Sequence, residues 1–441
     1  MIKRLSHSWK RGGFIRDTLT LVTGTAMAQV VSLAFSPVLS RIYSAEDFGV
    51  FALYNFIVAV PAVFVCWCYE PAILLPKDNE EAAQVLSLSL LLAGVMSVLA
   101  LLPAIYSKGI AAYFNVPALA PFLWCVSLNL FTLGVTQALN YWLNRNRDFS
   151  SVAVSRLLQS TSMGGAQIAL STTAFRSGSL IAGQVLGQVV SAGYLGAQAY
   201  RKGFRRIGKH LRHPVLLKTL SRFKRFPLYS SWGTAFNVAS FQIVPAFLTR
   251  LFTPADAGHY FFGYRLVSAA VILGSTSLGQ VLYQRAARER HEGKSIDTLV
   301  EKILFRMLAL TLVPFLLFIL ISPDLFALLF GNQWRTSGHF MRLVGPMFYI
   351  QFIVSPLSMV LFALEKQHIA AVIQFLMFVG TVCSLSLGFF LALSPTRLLI
   401  IYSAVQSLVY LVYLKLILRE SGASWLKMLR GGLMNQAAPS A

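Results

Sequence analysis

The sequence predicts an all-α polytopic membrane protein with about twelve transmembrane helices in two six-helix lobes. Three observations lead to this fold class. Of the 441 residues, 56% are hydrophobic and only 12% are charged. The apolar residues form long runs, many of them close to the roughly 20 residues that a spanning helix needs. The third observation is an internal repeat that relates the two halves of the chain.

The composition excludes several classes of protein. A soluble globular chain carries about 25% charged residues, so 12% excludes a soluble enzyme, and the apolar content excludes a disordered chain. The formal net charge of +22 would indicate nucleic acid binding in a soluble chain, but in apolar runs it is typical of cytoplasmic loops. We therefore expect no nucleic acid partner. The four cysteines have no metal or disulfide spacing, and no metal site is expected.

The apolar runs give the individual elements. Loops between them are short, and the half-apolar segment at 323–338 is interpreted as an outer-surface loop with a short interfacial helix. The first run is long enough to remain in the membrane, so no cleavable signal peptide is expected. The twelve predicted spans lie at residues 17–40, 48–74, 84–106, 118–143, 150–174, 179–200, 226–250, 258–284, 298–321, 339–364, 368–393 and 396–418.

The distribution of basic residues predicts the orientation, because cytoplasmic loops are enriched in Lys and Arg. With both termini in the cytoplasm, most of the 38 Lys and Arg residues fall on the inner side. The predicted outer loops hold only six of them, namely Arg41, Lys108, Arg176, Arg250, Arg335 and Arg397.

Four segments follow from these spans. Residues 1–200 form an N-terminal six-helix lobe, 201–225 a basic cytoplasmic linker, 226–418 a C-terminal six-helix lobe and 419–441 a cytoplasmic tail. Within the linker, apolar residues after Pro214 fall on one helical face. This pattern predicts an amphipathic helix in the plane of the inner leaflet, held by anionic lipid.

The two halves share a sequence repeat. The tripeptide Gly-Thr-Ala occurs at residues 24–26 and again at 233–235, an offset of 209 residues. Six spans per half is an even number, so both halves enter the membrane in the same direction. Parallel repeats of this kind are typical of alternating-access transporters. At the same offset Leu39 matches Leu248, Arg41 matches Arg250, Asp47 matches Asp256, and Gly49 matches Gly258.

The N-terminal motifs resemble those of a known family. Bacterial polysaccharide flippases of the Wzx type, in the multidrug/oligosaccharidyl-lipid/polysaccharide exporter superfamily, open with similar sequences. The resemblance is specific over about the first ninety residues, and beyond them it rests on the span count, the repeat and the short loops. The segments that carry it are LTLVTGTAMAQ at 19–29, SPVLSRIYSAEDFG at 36–49, YEPAILLPK at 69–77 and EEA at 80–82.

The resemblance implies a transporter and not an enzyme. Its expected substrate is a polyprenyl-pyrophosphate-linked oligosaccharide, moved from the inner to the outer leaflet of the bacterial plasma membrane to assemble O-antigen, capsule or exopolysaccharide. Expected partners are this substrate, membrane lipids, and the polymerase and chain-length regulator of the same pathway. No cofactor is expected, and coupling to a proton or sodium gradient is left open.

Such a substrate needs a wet, cationic cavity, since a pyrophosphate cannot cross about 30 Å of hydrocarbon unaided. Arg156 and Arg265 lie deep in the fifth and eighth spans, and Arg342 lies nearer the outer end of the tenth. We expect these cations to hold the phosphates. Buried amides more often join helices than bind ligands, and we expect about a third of those inside spans to bind the sugars. The chosen amides are Gln29, Asn55, Asn140, Gln159 and Gln280.

Two arginines at equivalent positions end the first span of each half. Arg41 and Arg250 are interpreted mainly as interfacial anchors or as ion-pair partners of Asp47 and Asp256. The alternative is a role at an outer gate.

Three further residues are candidates for gating or coupling. Glu70 and Glu365 close the second and tenth spans on the cytoplasmic side. Each either pairs with a nearby lysine, Lys77 or Lys366, or is a titrating carboxylate that couples transport to an ion gradient. Pro61 is expected to lie in the middle of the second span, where a proline could act as a hinge.

Two other functions remain open from the sequence. A cation-coupled multidrug antiporter of the same superfamily would share the fold, but we expect it to bury an acidic residue in the first or seventh span. The seventh has none, and Asp17 lies only at the edge of the first. A membrane-embedded polysaccharide polymerase or glycosyltransferase would need catalytic groups and a large loop on the outer face.

Overall fold

A computed structural model describes residues 23–172, 176–202, 219–223, 225–292 and 295–424. Most of the linker, including its expected in-plane helix, and most of both tails lie outside these residues. The regular structure of the described part is helical, without β-strands. Its α-helices are α1 (Thr23–Ile42), α2 (Ala45–Val63), α3 (Asn79–Leu99), α4 (Leu101–Ile105), α5 (Ser107–Tyr113), α6 (Cys125–Arg145), α7 (Phe149–Ala169), α8 (Arg176–Arg201), α9 (Arg225–Leu251), α10 (Pro254–His291), α11 (Asp297–Phe330), α12 (Arg335–Leu357), α13 (Met359–Ala363), α14 (Gln367–Phe390) and α15 (Pro395–Ser421).

The long helices confirm the predicted fold class. Within the described residues, every predicted span corresponds to a helix of at least 19 residues. Nine stretches among them are long and apolar enough to cross a bilayer by length and composition alone. The long helices α6, α7 and α9 are not among these nine stretches. The chain is therefore a multi-pass membrane protein built of helices.

The chain divides into two compact units, Met1–Gly258 and His259–Ala441. In the first unit α8 packs on α6 and α7, α3 packs on α6, and α9 packs on α2. In the second unit α12 lies between α11 and α15, and α14 packs on α15. The helix α9 begins the predicted C-terminal lobe, yet its contacts with α2 group it with the first unit. The division into lobes at residues 200 and 226 stays a prediction from the repeat.

The second span is shorter than the sequence predicts. The helix α2 ends at Val63, and the chain then turns through Trp67 and Cys68, which both have a positive φ, near 50°. A short 3₁₀ helix follows at Glu70–Leu74. Pro61 therefore lies in the last turn of α2 and not in mid-span, so its expected position is corrected, because the helix stops soon after it.

The predicted outer loop at 323–338 is wrong. The helix α11 continues through Pro323 to Phe330, and α12 begins at Arg335 after one 3₁₀ turn at Asn332–Trp334. Gly338 allows the two helices to pack against each other here, because a Cβ at this position would overlap the main chain of Ser322 and Pro323. The Ser322 hydroxyl also donates to the Gly338 carbonyl at 2.9 Å. The helices α11 and α12 therefore form a tight hairpin, joined by the 3₁₀ turn.

Candidate functional site

The repeat produces the same helix start in both halves of the chain. At the start of α2 the Ser44 hydroxyl accepts the main-chain N–H of Asp47 at 3.2 Å, and the Asp47 carboxylate accepts the Ser44 N–H at 3.0 Å. At the start of α10 the Thr253 hydroxyl accepts the Asp256 N–H at 3.1 Å and donates to the Asp256 carboxylate at 2.7 Å. Equivalent residues therefore cap equivalent helices.

Two glycines of the repeat let these helix starts cross at contact distance within the first unit. A Cβ at Gly49 would overlap the main chain of Pro254, and a Cβ at Gly258 would overlap that of Ala45. Ala45 and Pro254 are themselves 209 residues apart, so the contact is reciprocal. The sequence identified both glycines as repeat members but not as contact partners.

The arginines beside these helix starts do not form the expected ion pairs. In the part of the chain that the structure describes, neither Asp47 nor Asp256 pairs with Arg41 or Arg250, because each carboxylate caps its own helix. The Arg41 side chain is exposed. The Arg250 guanidinium instead lies over the ring of Tyr113, 5.3 Å from its centroid. A cation–π contact of this kind suits an interfacial anchor.

The three candidate phosphate-binding arginines lie in different surroundings. Arg156 of α7 is half-buried in the first unit and donates to the hydroxyl of Thr25 on α1. Gly24 permits that contact, since α1 packs there against the main chain of α7. In the second unit Arg265 of α10 is half-buried and Arg342 of α12 is exposed. The Gly-Thr of the repeated tripeptide thus serves to position Arg156.

The candidate sugar-binding amides are partly committed to the protein. Asn55 donates to the carbonyl one turn back in its own helix at 2.8 Å. Asn140 has a buried side-chain oxygen that accepts no hydrogen bond from any described residue. Gln29 and Gln159 are half-buried, and Gln280 is exposed.

Other buried amides join helices, as is usual inside a bundle. Asn129 donates to the hydroxyl of Tyr54 at 3.1 Å, and Gln167 donates to the carbonyl of Leu180 at 3.0 Å. In the second unit Gln406 donates to Thr381 at 2.6 Å. These amides hold the scaffold and are poor candidates for ligand contacts.

The two carboxylates at predicted cytoplasmic ends differ from the expected pairs. Glu365 lies 3.3 Å from Arg290, while Lys366 pairs with Glu420. Glu70 does not pair with the exposed Lys77, and its Oε2 is buried without a hydrogen-bond partner among the described residues. Of these two carboxylates, Glu70 is thus the one with a buried oxygen that has no partner among the described residues.

Arg145 organises the same end of the first unit, which sequence reasoning missed. Its guanidinium donates to the carbonyls of Ile73 at 3.2 Å and Pro76 at 2.7 Å, and reaches those of Lys77 and Asp78 at 3.3 Å. It therefore fixes the loop between α2 and α3 against α6. Its basic charge after a span was the only sequence signal, and that signal does not distinguish a structural arginine from a loop charge.

Asp148 ties the next inner loop to α8. Its carboxylate lies 2.6 Å from the Lys202 ammonium and accepts from the Ser151 hydroxyl at 2.8 Å. Burial acts to raise the pKa of Asp148, but the hydrogen bonds from Lys202, Ser151 and Ser150 outweigh it and lower this pKa to about 2. The carboxylate is therefore ionised at neutral pH, and the tie persists.

The fold of this chain is similar to that of several solved transporter structures. The lipid II flippase MurJ, in an inward closed conformation, superposes with a TM-score of 0.75 at 13% identity, over 93% of this chain and 89% of that one. An inward-facing multidrug resistance MATE family transporter gives 0.64 at 15% identity, over 95% and 96%. A MOP superfamily transporter from Pyrococcus furiosus gives 0.61 at 15% identity, over 93% and 95%. The fold is that of the MOP superfamily transporters.

The family follows from the sequence itself. A family described as "Polysaccharide biosynthesis protein" matches residues 38–338, which is more than half of the chain. The chain belongs to this family, and the family indicated by the N-terminal motifs is confirmed. No curated protein sequence matches the chain.

Proposed function

We propose that the protein is a flippase that moves a polyprenyl-pyrophosphate-linked oligosaccharide from the inner to the outer leaflet of a bacterial plasma membrane. The product would feed the assembly of O-antigen, capsule or exopolysaccharide, and both termini would lie in the cytoplasm. The observation that carries this proposal is the match to a polysaccharide biosynthesis family on a chain with a transporter fold. The polymerase and chain-length regulator of the pathway are the proposed protein partners.

The arginines supply the chemistry that this substrate needs. Arg156 and Arg265 are half-buried in long helices, and cations at such positions are rare in membrane proteins and mark binding sites for charged groups. A pyrophosphate would accept charge-assisted hydrogen bonds from them. Partly exposed amides such as Gln29 and Gln159 would bind the sugars. The polyprenyl chain would stay in the bilayer, which is as apolar as any protein groove.

The crossing at Gly49 and Gly258 supports alternating access. Helices that touch main chain to main chain leave no path between them, so the crossing would close the predicted outer side of the protein. Export would require the two helix starts to separate. In this mechanism Arg41 and Arg250, at the ends of the preceding helices, would move apart with them.

The second candidate function is a cation-coupled drug antiporter, which MATE-type neighbours make reasonable for this fold. The helices α1 and α9 contain no Asp or Glu. This sequence fact favours the flippase over an antiporter that binds a cation in either helix.

Replacing the two half-buried arginines tests the proposal. In a strain that lacks the chromosomal copy, Arg156→Ala and Arg265→Ala should each abolish surface polysaccharide on an immunoblot, while the protein level stays near normal. Lysine at either position should restore part of the export, because it keeps the charge but loses the bidentate geometry.

A matched control lies on the same helix as Arg265. Arg288 is exposed on α10 and pairs along the helix with Glu292, at 3.1 Å. Arg288→Ala should leave export unchanged. Normal export by both Arg156→Ala and Arg265→Ala would overturn the proposal, and a changed drug resistance with normal polysaccharide would favour the antiporter.

A further inference from the structure

Three basic side chains lie on one face at the start of α12, in the second unit. Arg335, His339 and Arg342 follow one another at intervals of four and three residues. This spacing places them within about 60° of one another around the helix axis. All three are exposed, and these three residues form the basic stripe. Between Arg335 and Arg342 the helix rises by about 10 Å, so the stripe runs from the predicted outer surface towards the hydrocarbon.

The protein itself neutralises the basic stripe only in part. The helix α12 contains no Asp or Glu. Asp324 of α11 pairs with Arg335, but both side chains are exposed, and exposed ion pairs are weak. Neither His339 nor Arg342 has an ion pair or a hydrogen bond with another described residue. Such a set of basic residues is unexpected at an outer end, since Lys and Arg concentrate on the cytoplasmic side.

The basic stripe is turned away from α10, the helix that carries Arg265. On the side of α12 that contacts α10, the Ser337 hydroxyl lies 3.1 Å from Nδ1 of His259. On the same side, the ring centroid of Phe348 lies 5.6 Å from that of Tyr264. These contacts lie roughly 150° around the α12 axis from the stripe. The stripe therefore does not share a face with the proposed phosphate site at Arg265.

Further along α12 the face of the stripe becomes apolar. Pro346 is exposed on this face, one turn after Arg342, and no charged residue follows in the helix. Arg342 lies inside the predicted tenth span, where an exposed guanidinium avoids hydrocarbon by reaching towards the headgroups. A basic outer part and an apolar inner part match, in order, the headgroup and the acyl chains of a phospholipid.

We propose that the basic stripe binds the phosphate headgroup of an anionic phospholipid in the outer leaflet. Arginine suits this ligand, because its planar guanidinium donates two parallel hydrogen bonds to a phosphate. The bound headgroup would hold the outer end of α12 at the membrane surface. The proposal goes beyond the proposed function and does not depend on it, since the lipid is a resident ligand and not the transported substrate.

The exported polyprenyl pyrophosphate would offer the same phosphate chemistry. The position of the stripe favours the resident phospholipid, because the stripe lies on the far side of α12 from the helix that holds Arg265. An exposed face of a span is also in contact with bilayer lipid at all times, whereas the substrate is scarce. Competition between the two lipids distinguishes these sources.

Native mass spectrometry of the purified protein with added phosphatidylglycerol tests the site. Arg335→Gln and Arg342→Gln should each weaken the binding of one lipid molecule about fivefold, which corresponds to about 1 kcal/mol for each basic residue near the membrane surface. Asp324→Asn should strengthen this binding, because Arg335 then loses its protein partner. Phosphatidylcholine, which has no net charge, should bind more weakly to the wild type.

The matched control is an exposed arginine at the predicted outer start of another helix. Arg397 lies in the first turn of α15, and Arg397→Gln removes the same charge outside the stripe. It should leave the binding unchanged, and basic residues on the inner side should bind lipid alike in all variants. Unchanged binding in the double variant of Arg335→Gln and Arg342→Gln would overturn the proposal. An equal loss in Arg397→Gln would also overturn it, since only net charge would then matter.

The side of the membrane has a separate test. Thr336 is exposed beside Arg335, and Thr336→Cys can be made in a chain whose four native cysteines are replaced by serine. An impermeant maleimide should label this cysteine in intact cells. Labelling only after permeabilisation would place the stripe at the inner leaflet and contradict the proposal.

The outcome for export separates a lipid site from a substrate site. Arg335→Gln and Arg342→Gln should retain most of the export of surface polysaccharide, and polyprenyl pyrophosphate should not displace phosphatidylglycerol. Lost export with unchanged phosphatidylglycerol binding would assign the stripe to the substrate path and overturn the proposal. If Arg156→Ala and Arg265→Ala export normally while the stripe variants lose the lipid, the flippase assignment fails and the lipid site stands.

Discussion

The helices α2 and α10 begin alike and end differently. Both start with a hydroxyl cap and an aspartate three residues later, and both carry the glycine of the crossing four residues after their first residue. Yet α2 has 19 residues and α10 has 38. At the offset of 209 residues, Pro61 of α2 corresponds to Ala270 of α10. The repeat thus specifies the start of the helix, and the unrelated residues that follow specify its end.

The difference has a chemical result. Because α2 stops at Val63, the chain turns and places Glu70 at the first position of a 3₁₀ helix. The equivalent position in α10 is Gly279, inside a continuous helix. Only the N-terminal half therefore has a carboxyl at this point of the repeat, and the two halves differ chemically there.

The largest effect is expected from placing in α10 a proline equivalent to Pro61 of α2. Ala270→Pro removes a hydrogen bond inside this helix and should destabilise the protein by about 3 kcal/mol or more. Ala270→Gly at the same exposed site should cost only about 1 kcal/mol. Thermal unfolding in detergent measures both. Equal Tm values for the two variants would mean that α10 tolerates a break where α2 has one.

An intermediate effect is expected at the crossing. Gly49→Ala and Gly258→Ala each place a methyl group on opposing main chain, and such overpacking costs typically about 1–3 kcal/mol. The two losses should be similar, since the contact is reciprocal, and both variants should export less polysaccharide. Gly94→Ala is the control, because nothing lies within 4 Å of a Cβ there. A loss at one glycine only would break the equivalence of the two halves.

The smallest effect is expected at the caps. Ser44→Ala and Thr253→Ala each remove the acceptor for a main-chain N–H and should cost about 1 kcal/mol. Thr276→Ala, whose exposed hydroxyl bonds only within α10, should change the stability less. Unfolding curves of the three variants give the comparison. A larger loss at Thr276 would show that the caps are not what fixes these helix starts.

Hydropathy predicts helices better than it predicts where they end. Each span was visible because crossing a bilayer requires a long apolar run. The ends depend on tertiary contacts that hydropathy does not contain. The segment predicted as a loop at 323–338 is instead the end of α11 and the start of α12, which pack closely where Gly338 meets Ser322. The second predicted span is shortened, because α2 ends soon after Pro61 and the chain turns at Trp67.

The candidate site shows the same limit. Depth in a span selected Arg156 and Arg265, which the structure shows half-buried, but the partner of Arg156, Thr25, comes from a distant part of the chain. The ion pairs expected for Arg41 and Arg250 fail because Asp47 and Asp256 cap helices. The spacing of a hydroxyl three residues before each aspartate was readable as a cap. The environment of Glu70 required the structure, since the turn after α2 that buries its Oε2 is not visible in the hydropathy.

The reciprocal crossing of Gly49 and Gly258 has the form of an isologous interface, in which one surface patch meets its own copy. Ala45 faces Gly258, and Pro254, its counterpart, faces Gly49. Two copies of a half-length chain would make this contact as a homodimer about a twofold axis. A single covalent chain keeps the contact while freeing each half to change separately, and the carboxyl at Glu70 is a change that a strict homodimer would have carried twice.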